Sequence, residues 1–172
     1  MREGIDYTGI PSAAELAACK GIPSRERMER GAVAVIECVQ CIPCNPCESA
    51  CPLGAITVGS PMTNAPVLDG EKCIGCGSCI ARCPGLAITV INLAHGENMA
   101  TLDFPYEYLP LPEAGSTVTA VDRSGEAVCD AKVLSVSNTA PGETCRRAMC
   151  PAPACGWWTG TNFWRKFPSA TG

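Results

Sequence analysis

Large aromatic side chains are scarce in this chain, which has three each of Trp, Tyr and Phe among its 172 residues. So few rings leave an ordinary apolar core short of material. Something other than packing is expected to supply part of the stability. Long apolar runs are missing as well. The longest stretches, Gly31 to Val39 and Leu86 to Ala94, fall well short of the ~20 residues that a membrane-crossing helix needs, so no membrane span is expected. The opening MREGIDYTGIPS lacks the basic start, apolar core and small-residue cleavage site of a secretory signal, which makes the cytoplasm the expected location. There is no excess of positive charge. With a net charge of −4 and a pI near 5.0, the chain lacks the clustered Lys and Arg of a nucleic-acid binder. Its single histidine, His95, stands outside any motif. Without a Ser-His-Asp set, paired carboxylates or a glycine-rich phosphate loop, no catalytic site of the chain's own is expected.

Cysteine is what the chain has in abundance, 14 in all. In a reducing compartment such density points to metal more than to disulfides. Eight of these cysteines form two runs of one spacing: Cys41, Cys44, Cys47 and Cys51 before Pro52, then Cys73, Cys76, Cys79 and Cys83 before Pro84. Three thiolates two residues apart wrap a loop around three irons of one cubane. The fourth leaves on a turn that the following proline helps to stop. In two-cluster ferredoxins this fourth cysteine ligates the other cluster. The expected cofactors are therefore two [4Fe-4S] clusters, one held by Cys41, Cys44, Cys47 and Cys83, the other by Cys73, Cys76, Cys79 and Cys51. A zinc ribbon is the rival reading, but it has no use for the third cysteine of each run, the fourth, or the proline.

Cys38 precedes Cys41 by the same two-residue gap. Regular spacing favours Cys41 as the first ligand, with Cys38 a buried free thiol. Cys19 and Cys129 read as structural. Cys145, Cys150 and Cys155 could contribute to a third metal but lack a fourth ligand of recognisable spacing.

The two runs belong to an internal repeat. Residues 41–58 and 73–90, offset by 32, share ten of 18 positions, including an Ala-Ile-Thr-Val ending suited to a short strand. Each copy reads as a cysteine loop, a short helical turn and a strand. Around this repeat the fold class is α+β: a bacterial two-cluster ferredoxin-like core over residues 35–95, after a short helical N-terminal arm over 1–34. In the arm, Ser12 with Glu15 suggests a capping box and Ser24 an N-cap for Arg25 to Arg30. Ala32 to Ile36 reads as a buried strand. Residues 96–138, with alternation in Met99 to Tyr106, Thr117 to Val121 and Val128 to Val136, read as a small antiparallel sheet or barrel of three to five strands. Residues 139–172 form a Pro/Gly/Cys/Trp-rich tail without usable period, read as loop-like.

The segment Val35 to Ile56, VIECVQCIPCNPCESACPLGAI, resembles the ferredoxin-like subunit of multi-subunit flavin-dependent amino-acid dehydrogenase complexes of the proline and hydroxyproline type. The resemblance extends through Gly21-Ile22-Pro23-Ser24 and Phe104 to Pro112, covering roughly residues 5–137. It implies an iron-sulfur electron-transfer subunit in a hetero-oligomer. The implied partners are flavin-containing dehydrogenase subunits, with a [2Fe-2S] subunit as a further candidate. Its functional positions here are the eight cluster cysteines. In that family the first loop can lack the cysteine matching Cys41, which returns Cys38 to contention. The stretch from Met149 to Gly172, with Trp157, Trp158 and Trp164, departs from the apolar C-terminal segment of the family. A freely diffusing ferredoxin serving several enzymes is the alternative, its acidic charge steering weak encounters with basic partners.

Overall fold

The structure is a computed structural model that describes residues 3–122, 125–140, 143–151 and 165–167, with side chains described as far as residue 137. It is an α+β fold in which short helices precede a strand-rich region. Three helices come first: α1 (Ile5–Thr8), α2 (Ala13–Ala18) and α3 (Arg25–Glu29). The expected capping box is complete at α2. The Ser12 hydroxyl accepts from the Glu15 amide at 3.3 Å, and the Glu15 carboxylate accepts from the Ser12 amide at 2.6 Å. These bonds satisfy donors that a helix start otherwise leaves open. Ser24 caps α3 by accepting from the Arg27 amide at 3.3 Å. α1 carried no capping signal in the sequence. Its first amide, on Ile5, is held by the same Glu15 carboxylate.

Strand β1 (Val33–Ile36) follows, then α4 (Pro46–Ala50), β2 (Ile56–Thr57), β3 (Val67–Leu68), β4 (Ile88–Gly96) and β5 (Met99–Pro105). After them come β6 (Thr117–Val121), β7 (Ala127–Ala140), β8 (Glu143–Pro151) and β9 (Arg165–Phe167). β2 and β3 form a two-stranded ladder. The other seven make one sheet in the order β1-β4-β5-β8-β7-β6-β9, with every pairing antiparallel.

The β1–β4 pair is buried on both faces, which explains why all four residues of β1 are apolar. Ala34, Ile36, Ile88 and Val90 face one cluster of buried side chains, together with Cys47, Cys79, Ile56 and Ile80. Val33, Val35 and Ile91 face a second cluster built with Leu102, Phe104, Tyr106 and Val133. Strand alternation thus makes this pair a wall between a cysteine-bearing core and an ordinary apolar one.

The structure departs from the expected organisation in two places. The sheet expected after residue 96 begins earlier, because β4 runs through residue 95 into a hairpin with β5. Residues 143–151, expected to be loop-like, form β8 between β5 and β7. Backbone pairing holds this strand where the side-chain pattern shows no alternation. The expected helical turn of each copy is the helix α4 in the first, and in the second a pair of hydrogen-bonded turns, Ile80 N–H to the Gly77 carbonyl and Cys83 N–H to the Ile80 carbonyl. Pro46 sits at the first turn of α4, where its fixed φ suits a helix start, and Ser78 stands at the matching position of the second copy.

Candidate metal centre

The second cysteine loop hangs between β3 and β4. Its glycines shape it. Gly75 has φ +66°, and a Cβ there would lie 2.5 Å from that of Ala32, so a left-handed turn and close packing both require glycine. Gly77 has φ +80°. The curled loop presents Cys73, Cys76 and Cys79 to a pocket that Cys51, at the end of α4, completes from the other half of the repeat. Ala34 and Ile56 line the same pocket. Backbone amides point at the sulfurs: Ala34 donates to Cys73 Sγ at 3.4 Å and Ala55 to Cys51 Sγ at 3.2 Å. Such donors favour negative charge on sulfur.

These four thiols are not alike. Burial first, then the neighbouring Cys73, Cys76 and Cys51, pushes Cys79 up to about 12. Cys76 is lowered by the hydroxyl and amide of Ser78, whose Oγ lies 3.4 Å from its sulfur. A thiol that resists ionisation gives up its proton when a cation compensates, so metal binding here would release protons.

On the other side of the repeat, Cys47 is buried, while Cys38 and Cys83 are half-buried and pack against the same core. The Cys38 thiol is pushed up to about 11 by burial and then by Cys83, Cys47, Cys19 and Cys44. Burial raises Cys47 as well, followed by Cys83 and, less, Cys44. Cys38, Cys44, Cys47 and Cys83 therefore lie near one another, with Cys19 also beside Cys38, and Cys83 comes from the opposite motif. The Ala87 amide donates to Cys83 Sγ at 3.4 Å, repeating the Ala55 to Cys51 contact. Cys41 is exposed on its loop. Cys38 lies two residues beyond the buried strand β1 and packs against this core.

Both sets fit a four-iron cluster in donor chemistry, with four thiols each and amides aimed at sulfur. Among the described residues no three of His, Cys, Asp or Glu converge on a single metal-ion position. A cubane asks for a different arrangement, one thiolate at each of four iron corners. Cys83 also lines a surface groove of about 370 Å³ with Pro46, Ile80, Arg82, Tyr106 and Glu107.

The other candidates lie apart. Cys19 donates to the Ile36 carbonyl at 3.1 Å, beside Cys38, and burial raises it. Cys129 sits half-buried on β7, against the apolar core. His95 is exposed near the end of β4. Cys145 and Cys150 lie on β8, where only the backbone is described, and Cys155, Trp157, Trp158 and Trp164 lie outside the described residues. Among the described residues no helix is long and apolar enough to cross a membrane.

A family profile described as a 4Fe-4S dicluster domain matches residues 40–87, a span that holds both cysteine runs from Cys41 to Cys83. A ferredoxin-like iron-sulfur domain is thus present in the chain. No curated protein and no solved structure matches the chain.

Proposed function

We propose that this chain is the iron-sulfur electron-transfer subunit of a flavin-dependent amino-acid or amine dehydrogenase complex, holding two [4Fe-4S] clusters. The observation that carries the cofactor reading is the meeting of Cys51 with Cys73, Cys76 and Cys79 around one pocket, the crossed arrangement of a two-cluster ferredoxin. The resemblance of Val35 to Ile56, and flanks that a minimal ferredoxin lacks, support the role within a complex.

The ligands of one site are then Cys73, Cys76, Cys79 and Cys51. Those of the other are Cys44, Cys47 and Cys83 with Cys38. We take Cys38 in place of Cys41 because it packs against the core that holds Cys47. Bound there, the clusters supply one-electron chemistry, so a reduced flavin's electron pair leaves as single transfers. The chain's own groups do the rest. Thiolates fix position, the amides of Ala34, Ala55 and Ala87 favour charge on sulfur, and Ile36, Ile80 and Ile88 keep water from the inner faces. The polypeptide contributes no acid, base or nucleophile to substrate chemistry in this reading.

Native purification under mild anaerobic conditions tests it. A flavin-containing partner of comparable abundance is expected to copurify. A lone monomer would count against assembly. The net charge of −4 favours one further reading, a diffusing ferredoxin with salt-sensitive partners. Native mass measured at low and high salt separates the two, since a stable complex persists and a steered encounter dissolves.

A further inference from the structure

The two cysteine sets differ in the charge that surrounds them. Arg27 on α3 is half-buried, and its guanidinium reaches across to the second cysteine loop. Its Nε donates to the Gly70 carbonyl at 2.6 Å and its Nη2 to the Cys73 carbonyl at 2.6 Å. Nη1 donates to Gly31 at 3.2 Å, and Nη2 also to Ala32 at 3.3 Å. All four acceptors are backbone carbonyls. They belong to two segments distant in sequence, the entry to β1 and the entry to the second loop, which also touch where Gly75 packs on Ala32.

A guanidinium engaged by carbonyls keeps its full positive charge. The carboxylate that senses Arg27 is Glu71, and Glu71 is itself bound to Arg30. The cation therefore stands against Cys73 in a partly desolvated setting, where charge interactions are stronger than in water. Acidic residues stand near both sets: beside the second, Glu71 and Asp69 are paired with Arg30 and Lys72, and the first has carboxylates of its own. Glu48 directly follows Cys47 and accepts from the Gly59 amide at 3.4 Å, and Glu37 acts on Cys19 beside Cys38. Arg82 next to Cys83 is exposed, where solvent screens it. Among the described residues no side-chain cation donates to a cysteine of the first set.

Reduction adds one negative charge to a cluster, and nearby cations and hydrogen bonds favour the reduced form. Resting on the two-cluster reading above, we propose that Arg27 is a positioning residue that clamps Cys73 and makes the Cys51, Cys73, Cys76 and Cys79 site the stronger electron acceptor of the two. An electron entering at either site then settles at the second. The inference gives the two halves distinct roles, a path and a resting place.

The test is a redox titration of the full chain, purified anaerobically, followed by electron paramagnetic resonance. The second site is identified as the signal lost in C51S. R27Q removes the charge, and R27K keeps it with a poorer fit to the carbonyls. With iron and sulfide unchanged, R27Q is expected to weaken electron uptake at the second site at least tenfold, about 59 mV for one electron. R27K is expected to shift it by less than half as much, and the first site is expected to hold in both. An unchanged second site in fully loaded R27Q, or equal shifts at both sites, overturns the proposal. If R27Q loses the second cluster, R27K decides alone: a loaded second site that still accepts electrons before the first supports the proposal, and a reversed order overturns it. Wild-type protein without iron and sulfide would instead contradict the cofactor reading itself.

Discussion

The two cysteine loops share ten of 18 residues, yet the chain folds them differently. The first runs through the helix α4, begun by Pro46, and Cys38, beyond the end of the β-wall, packs against the same core. The second has no helix. It turns on glycines, packs on Ala32 and is held by Arg27. Beyond the loops the contrast continues. The first copy ends in the two-residue strand β2, paired among the described residues with β3 alone, while the second ends in β4, a central partner of β1 and β5. Donor spacing is common to both, but support, charge and depth are not. The two copies thus share a spacing of cysteines while their surroundings differ.

The largest expected effects come from the residues that cross between the loops. C51S is expected to remove the second site's cluster and C83S the first's, each leaving about half of an eight-iron complement. Loss of the same cluster in both variants would end the crossed assignment. C38S should act like C83S, whereas C41S should keep its iron. The opposite result would restore Cys41 as the ligand. Next in size is the core that both loops share. Ile80 is 1% exposed, among Ile36, Ile88 and the cysteines. Ile80→Ala is expected to cost about 2–5 kcal/mol, read from denaturant unfolding of the loaded protein. A cost under 1 kcal/mol would mean that the loops are held by ligation alone.

A pH dependence follows from burial. In the metal-free chain Cys38 and Cys79 hold their protons to about 11 and about 12, against the ordinary thiol value of 9.0. Between that value and the raised ones the folded form binds more protons than the unfolded one, so metal-free stability falls as pH rises through this window. Iron uptake displaces the same protons and should strengthen as pH rises, measured as visible absorbance on anaerobic reconstitution from about pH 7 to 9. Uptake that weakens with pH would contradict deprotonation as the linked step. The smallest effect is expected away from both loops. S12A breaks the α2 capping box and should cost about 0.5–2 kcal/mol while leaving iron content unchanged.

Much of this molecule was legible in its residues. The caps at Ser12 and Ser24, the strand ending at Ile36 and the loops around Cys44 and Cys76 each announce themselves through local chemistry. What escaped was decided by contacts remote in sequence. β8 is a strand because β5 and β7 flank it, and no alternation in residues 143–151 reports that. Regular spacing favours Cys41, and the packing of Cys38 against the core beyond β1 shows only in the folded chain. Arg27 looks like one charge among several on a short helix. Its reach to Cys73, 46 positions away, appears only in the folded chain.

We propose that eight of the cysteines hold two four-iron clusters. Anaerobic iron, zinc and acid-labile sulfide analysis of the purified chain tests it most directly. About eight irons and eight sulfides per chain are expected from two cubanes. Stoichiometric zinc without sulfide, or only four irons in fully loaded protein, would contradict it.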